Sequence, residues 1–414
     1  MLEIKSQHVM NLQKLFGVSE MEMKALSISL LTLMVISSMA FVVQASGSSF
    51  STPVNLGPGF DPNVQSVGNH VYVAWTDKSG GIFFRASSDG GQSWGNTLRV
   101  GSGGQYPIMS ASGNQVYMVW ASAGLNFVNS SDNGATWSKP HKLVSNGITP
   151  FIASKGALVS VVYLGGSGGS YVMSSSNSGG TWTTPFEYSN GPEPQIAMSG
   201  TNIYVSADAL DRSHIQFAVS HDSGKTWKIN ALEGGSESWV VATGSNVYAV
   251  WETKGTNSVV WFMSSSNNGD KLATKIISTG IPDAWNPMIN AMGNSVWVGI
   301  QAFGAKTQNW MLTSMDGGVT FTSKSLTGLG HTDGFIFNIA TTDGINVFAM
   351  WVQASSSTSI VLAAYSPDGG STWSVVNVGQ SDPNNDVAIG SISSNGAHGL
   401  AAWQNSSAIW FSNS

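Results

Sequence analysis

Residues 87–94 of this chain read SSDGGQSW, and this octapeptide recurs along the sequence at nearly constant intervals. The other copies are SSDNGATW at 130–137, SSNSGGTW at 175–182, SHDSGKTW at 220–227, SMDGGVTF at 314–321, SPDGGSTW at 366–373 and a degenerate SSNNGDKL at 265–272. Successive copies start 43, 45, 45, 45, 49 and 52 residues apart. This interval is typical of one four-stranded blade of a β-propeller.

The octapeptide resembles the Asp-box, or BNR repeat, of sialidases and related β-propellers, whose form is Ser-x-Asp-x-Gly-x-Thr-Trp. We call these segments the octapeptide turns. Within such a turn the Asp carboxylate can accept backbone N–H groups, the Gly can take a left-handed conformation, and the aromatic residue can pack into the blade. The resemblance therefore indicates a fold, and we expect the turn carboxylates to be structural rather than catalytic.

The segments between the octapeptide turns supply the remaining strands. Alternating stretches such as VYVAW (71–75), VYMVW (116–120) and VYAVW (247–251) follow turns that contain Gly or Asn. The last unit contains only three strands, whereas residues 52–56 resemble the stretch that follows an octapeptide turn elsewhere. We predict an all-β, eight-bladed β-propeller of four-stranded blades, with the ring closed by the N-terminal strand pairing into the C-terminal blade; a seven-bladed ring is the alternative.

The first 46 residues differ from the rest. Lys24 precedes an apolar stretch at 25–43, and small residues follow it. This pattern indicates either a cleaved signal peptide or a retained membrane anchor at 1–46, followed by a single propeller domain at 47–414. We expect an extracellular or cell-surface protein, exported through its N-terminal signal sequence and touching a membrane only through that segment.

The composition narrows the classes of partner. The chain is 42% hydrophobic and 10% charged, which excludes a disordered protein. It has 17 Lys and Arg against 23 Asp and Glu, a net charge of −6, so a nucleic-acid partner is not expected. It has no Cys, which excludes disulfides and Cys-ligated metals. We expect a monomer without an organic cofactor.

Polar and aromatic residues concentrate in the segments predicted to form one face of the ring. This loop face carries the connections between blades and between the second and third strands, whereas the opposite turn face carries the octapeptide turns. The acids of the loop face are Asp61, Asp77, Glu193, Asp208, Asp211, Glu237, Glu252, Asp283, Asp333, Asp382 and Asp386. Acids beside aromatic rings suit sugar hydroxyls, and Ca²⁺ is the cation they could hold. The ligand-binding candidates are Trp239 and Trp285, placed in blade-to-blade loops, with Asp208, His214 and Glu193.

The sequence leaves two functions open. One is a binding or scaffolding module for cell-surface glycan or envelope protein, which we favour. The alternative is a sialidase-like exoglycosidase in which Asp211 and Glu237 act as acid and base and Arg212 tunes one of them. Sialidases hold their anionic substrate with three arginines from different blades, and the only arginines here, Arg85, Arg99 and Arg212, do not fit that pattern. The resemblance therefore does not extend to a classical sialidase site.

Overall fold

The computed structural model describes residues 50–414 except 254, 256, 304–306, 327–337, 342, 354–358, 382–389, 396–397 and 406. The predicted targeting segment, residues 1–46, lies outside the described residues, as do Asp333, Asp382 and Asp386. Within the described part the chain forms 32 strands and no helix. Accordingly, these described residues include no helix that is long and apolar enough to cross a membrane.

The strands follow one another with short connections. In chain order they are β1 (Val54–Pro58), β2 (Phe60–Val67), β3 (His70–Thr76), β4 (Ile82–Ser87), β5 (Leu98–Gly101), β6 (Gln105–Ser112), β7 (Gln115–Ser122), β8 (Gly124–Ser130), β9 (His141–Val144), β10 (Gly147–Lys155), β11 (Leu158–Gly165), β12 (Ser170–Ser175), β13 (Phe186–Ser189), β14 (Gln195–Ser199), β15 (Asn202–Asp208), β16 (His214–Ser220), β17 (Lys228–Glu233), β18 (Ser236–Thr243), β19 (Asn246–Thr253), β20 (Val259–Ser265), β21 (Ala273–Ile276), β22 (Ala284–Met292), β23 (Ser295–Ala302), β24 (Gln308–Ser314), β25 (Thr322–Ser325), β26 (Asn338–Thr341), β27 (Val347–Gln353), β28 (Ser359–Ser366), β29 (Ser374–Ser381), β30 (Gly390–Asn395), β31 (His398–Asn405) and β32 (Ala408–Asn413).

These strands form eight antiparallel sheets of four, which confirms the predicted eight-bladed β-propeller. Blades 1 to 7 are the consecutive sets β2–β5, β6–β9, β10–β13, β14–β17, β18–β21, β22–β25 and β26–β29. Blade 8 combines β30, β31 and β32 with β1, so strands from both ends of the described chain share one sheet. The first strand of each blade packs against the first strands of its neighbours and lines a central channel.

The second strand of each blade is largely buried. In blade 1, β3 reads HVYVAWT, and every residue after His70 is buried. Both faces of this strand are covered, because each blade stacks between two others, and β-branched and aromatic side chains suit such a position. The strand-end residues Trp75, Trp120 and Trp251 are almost fully buried. They belong to the packing of the blades and offer no surface to a ligand.

The octapeptide turns join neighbouring blades. In the turn of blade 2, Asp132 accepts hydrogen bonds from the hydroxyl of Ser130 and from the backbone N–H of Thr136. Trp137 packs edge-on against Phe84 of blade 1, with ring centroids 4.9 Å apart. A Cβ on Gly134, whose φ is +83°, would lie 2.4 Å from the same Phe84 ring. The turn therefore requires glycine both for its backbone conformation and for the approach of the next blade.

Candidate functional site

A four-residue pattern lies at the start of the first strand, or just before it, in six successive blades. It reads GFDP at 59–62, GQYP at 104–107, GITP at 147–150, GPEP at 191–194, GSES at 235–238 and AWNP at 284–287. Its third residue has a left-handed backbone in every case, with φ between +47° and +62°. We call these six the mouth residues: Asp61, Tyr106, Thr149, Glu193, Glu237 and Asn286.

In five of these six blades the mouth residue interrupts the regular pairing of the first strand. In blade 1 the register shifts between Phe60 and Asn63, so that Asp61 and Pro62 have no partner on β3. The same shift occurs at the mouth residues of blades 2, 3, 5 and 6. Each bulge lies opposite the end of the second strand, which is the loop-face end of the blade, as Phe60 pairing with Thr76 illustrates. The mouth residues therefore stand at the loop-face end of the channel.

The glycine that opens the pattern has a steric cause. A Cβ on Gly59 would lie 2.1 Å from the ring of Trp75, and a Cβ on Gly104 would lie 2.0 Å from the ring of Trp120. The indole N–H of Trp75 donates to the carbonyl of Pro58 at 3.0 Å. The strand-end Trp therefore packs directly on the chain that leads to the mouth residue and helps to fix its position.

Two buried carboxylates occupy equivalent positions behind this mouth. Asp208 is the last residue of the second strand of blade 4, Glu252 is the penultimate residue of the second strand of blade 5, and neither is accessible to solvent. Asp208 accepts the backbone N–H of Glu237 at 2.9 Å, and Glu252 accepts the backbone N–H of Asn286 at 2.6 Å. Each carboxylate thus holds the mouth residue of the following blade in its left-handed conformation.

Asp208 is at the centre of the most strongly perturbed group of charges. Burial raises the pKa of Asp208 well above its ordinary value; the charges of Glu193 and Glu237 raise it further, while Arg212 acts in the opposite direction. Among the described residues, the Asp208 Oδ2 atom has no hydrogen-bond partner. The structure therefore brings together four of the residues selected from the sequence, Glu193, Asp208, Arg212 and Glu237.

A second perturbed pair lies between blades 1 and 2. Burial raises the pKa of the half-buried Asp61 to about 7. Burial, and then the charge of Asp61, raises the pKa of Tyr106 to about 12. The Tyr106 side chain is 42% exposed, so its ring is accessible at the mouth.

Two of the sequence candidates lie elsewhere on blade 4. Asp211 is exposed, and His214 is half-buried; both line a shallow depression with Glu187 and Leu210. The hydroxyl and backbone N–H of Ser213 donate to the Asp211 Oδ1 atom and lower the pKa of Asp211. A general acid needs a raised pKa, so this position does not suit Asp211 to that role. The Ser213 hydroxyl also lies 2.9 Å from His214 Nδ1.

The two aromatic candidates are not in blade-to-blade loops, as the sequence had suggested. Trp239 lies in β18 and Trp285 in β22, because the bulges break the alternating pattern and hide the true start of these strands. Trp239 is only 7% exposed and meets Phe151 of blade 3 edge-on, with centroids 6.3 Å apart. Trp285 is half-buried, donates its indole N–H to Asp283 at 2.8 Å and meets the exposed Phe303.

The sequence analysis selected Asp61, Glu193 and Glu237 for the loop face but did not single out Thr149 or Asn286. The recurrent Gly-x-x-Pro contains Thr149, and the Pro of AWNP at 284–287, which stands in the equivalent position, points to Asn286. In the part of the chain that the structure describes, no group of three or more His, Asp or Glu residues is placed to hold a metal ion.

Comparison with known proteins supports the fold alone. No family model matches the chain, and no curated protein matches it. Among solved structures, a polysaccharide lyase of family PL25, an ulvan lyase, is similar over 88% of this chain and 95% of its own, with a TM-score of 0.57 and 11% identity. The same enzyme bound to -[GlcA(1-4)Rha3S]- gives a TM-score of 0.56, 12% identity and the same coverage. YCF48 bound to a D1 peptide gives 0.49 and 16% identity, over 76% of this chain and 95% of its own.

Proposed function

We propose that this protein is a carbohydrate-binding module that holds its ligand on the loop face, at the six mouth residues. The observation that carries the proposal is that all six have a left-handed backbone and none is glycine. For a residue with a side chain, the left-handed backbone conformation costs roughly 1–2 kcal/mol of free energy relative to the right-handed one, and glycine would avoid this strain. Strained residues of this kind concentrate at functional sites, where the side chain is needed.

The side chains at these positions suit a polyhydroxylated ligand. Asp61, Glu193 and Glu237 can accept hydrogen bonds from hydroxyls, and the Asn286 and Thr149 side chains can both donate and accept. The exposed Tyr106 ring offers an apolar face on which a pyranose can stack. Such a mixture of carboxylate, amide, hydroxyl and aromatic groups is favourable for sugars.

The charge of the mouth favours a neutral carbohydrate. Asp61, Glu193 and Glu237 bring carboxylates to it, while Arg212 is the cation that acts on Asp208. A sulfated or uronate polymer would be repelled by this arrangement. The similarity to a polysaccharide lyase supports a carbohydrate as the ligand. The ligand bound to that lyase contains glucuronate and sulfate, and we expect the acidic mouth of this chain to disfavour such an anionic polymer.

The proposal extends to location and partner. The apolar stretch at 25–43 supports an exported protein that meets its ligand outside the cell or at the cell surface. We therefore propose cell-surface glycan as the partner. An envelope protein recognised through the same face is the competing outcome of the test.

A glycan-array screen of the purified protein tests this function. We expect saturable binding to neutral oligosaccharides, at least about tenfold weaker in Glu237→Gln, which keeps the shape but removes the charged acceptor. Glu233→Gln is the matched control, because Glu233 is exposed on the outermost strand of blade 4. Absence of array binding, together with capture of an envelope protein that Glu237→Gln abolishes, would refute the glycan proposal.

One observation favours a second candidate function, a glycoside hydrolase. Asp61, with its pKa raised to about 7, would be protonated in about half of the molecules at neutral pH, and this protonated form could serve as the general acid. Hydrolysis of a neutral chromogenic glycoside, lost in Asp61→Asn and retained in Asp77→Asn, would establish that activity. Binding without turnover in wild type would exclude it.

A further inference from the structure

The central channel contains a cavity that is distinct from the loop-face mouth. Its volume is about 150 Å³, and it is lined by the first strands of blades 1 to 6. Among its lining residues are Phe151, Gln195 and Trp239, which follow the mouth residues on their strands. None of the six mouth residues lines it. The cavity therefore requires an explanation of its own.

Exposure along the channel shows from which side the cavity is reached. Phe151, Gln195 and Trp239, at the end next to the mouth, are 3%, 5% and 7% exposed. Ser154 and Met198, further along the same strands, are half-buried, and Lys155, at the turn that ends β10, is exposed. The edge-on contact of Phe151 with Trp239 covers the loop-face end. A ligand would thus enter from the turn face.

The walls carry polar groups whose hydrogen bonds are incomplete. Asn290 is 1% exposed, and its side-chain amide donates to the carbonyl of Ile339 at 2.7 Å. This bond fixes the orientation of the amide, and among the described residues the Asn290 Oδ1 atom has no partner. A buried acceptor without a donor is costly, so a group that brings an O–H to this atom would be favoured.

The opposite wall supplies a donor. The hydroxyls of Ser110 and Ser154 lie 2.7 Å apart, and both residues line the cavity. Two hydroxyls have two protons, and the bond between them uses one. The second proton is available to an acceptor inside the cavity. The deep end of the cavity is aromatic, which suits the C–H face of a sugar ring.

We propose that this cavity binds one neutral pyranose unit, entering from the turn face, with a ring hydroxyl donating to Asn290 Oδ1 and another accepting from the Ser110–Ser154 pair. A cavity of about 150 Å³ can hold one six-membered ring. Lys155 is the one charged residue among the described residues that line the cavity, and its side chain is exposed at the rim. The buried walls that these residues form therefore carry no cation that could neutralise an anionic ligand. This site is independent of the loop-face proposal.

Titration calorimetry of the full chain with D-glucose, D-galactose and D-mannose tests the site. We expect saturable, millimolar binding of at least one hexose in wild type. Ala242→Leu should weaken binding at least about tenfold, because Ala242 lines the cavity and a leucine would occupy it. Ala231→Leu is the matched control, since Ala231 is exposed on the outermost strand of blade 4.

Asn290→Ala removes the acceptor and should also weaken binding about tenfold. If Asn290→Ala does not fold, Ala242→Leu still tests the site, because it keeps the hydrogen bond between Asn290 and Ile339. Absence of hexose binding, with only ordered waters in the cavity of a crystal soaked in each sugar, would overturn the proposal. If Ala242→Leu still binds glycans on the array but no longer binds a hexose in the cavity, the loop-face site and the cavity site are independent of each other.

Discussion

Asp208 accepts a hydrogen bond of 2.9 Å from the backbone N–H of Glu237, across the boundary between blades 4 and 5. The two residues are 29 positions apart in the chain. This bond places a fully buried carboxylate directly behind a left-handed residue of the channel mouth. Glu252 and Asn286 repeat the arrangement one blade further on. At Glu237 and Asn286 the backbone of the mouth is therefore held by a side chain of the preceding blade.

The first prediction concerns this support. Asp208→Ala should destabilise the protein by about 1–3 kcal/mol, because the backbone N–H of Glu237 loses its acceptor. Asp208→Asn keeps an acceptor and removes a carboxylate whose pKa is raised by burial, so it should be at least as stable as wild type at neutral pH. Urea unfolding of both variants measures this. An asparagine variant as unstable as the alanine variant would contradict it.

The second prediction addresses the strain at the mouth. Glu237→Gly should raise the free energy of unfolding by about 0.5–1 kcal/mol, since glycine accepts a positive φ, and it should abolish ligand binding. Thermal unfolding and the glycan array measure the two effects. Thr243→Gly, placed at the other end of β18, is the control and should be destabilising. A Glu237→Gly protein that binds as well as wild type would remove the functional reason for the strain.

The third prediction concerns Asp61, whose pKa is raised from 3.8 to about 7. The pKa of Asp61 is higher in the folded state than in the unfolded state. The contribution of the protonated Asp61 to the free energy of unfolding is therefore fully present below about pH 4 and is lost as the pH rises through 7. The stability of wild type relative to Asp61→Asn should therefore fall across this window. Unfolding curves from pH 4 to pH 8 measure the difference. A constant difference would show that Asp61 ionises normally.

The fourth prediction applies to the octapeptide turns. The side-chain and backbone hydrogen bonds of Thr136 lower the pKa of Asp132 to about 2. The stability linked to this carboxylate is present above pH 4 and lost as the pH falls toward 2. Asp132→Asn should remove that acid dependence yet keep the turn, since Asn177 accepts the corresponding N–H of Thr181 at 2.8 Å. Acid titration of folding by circular dichroism checks this; an unfolded asparagine variant would contradict it.

The fifth prediction tests the contact between blades 1 and 2. Gly134→Ala should destabilise the protein by about 2–4 kcal/mol, because it combines a left-handed backbone with a Cβ 2.4 Å from Phe84. Gly113→Ala is the matched control: its φ is +61°, but nothing lies within 4 Å of the added carbon. Its effect should be nearer 1 kcal/mol. Equal losses in chemical denaturation would show that the Phe84 contact is unimportant.

Local patterns carried the fold. The octapeptide fixed the interval between blades, and alternating stretches such as VYVAW at 71–75 marked the buried second strands. Such patterns are readable because strands and turns depend on neighbours in sequence. Trp239 and Trp285 were misplaced for the same reason: a bulge lies just before Trp239 and just after Trp285, and it disturbs the alternation on which the strand prediction rests.

The sequence by itself determined the all-β class, the eight four-stranded blades and the loop-face location of Asp61 and Glu237. Only the tertiary structure decided that Asp208 joins Glu193, Arg212 and Glu237 whereas Asp211 and His214 face another depression. The side chain of one residue in a connection can point to the channel and that of the next to the outer surface. Which way each points depends on the bulge, on the glycine packed against the strand-end Trp, and on hydrogen bonds between blades, and none of these is local in the chain.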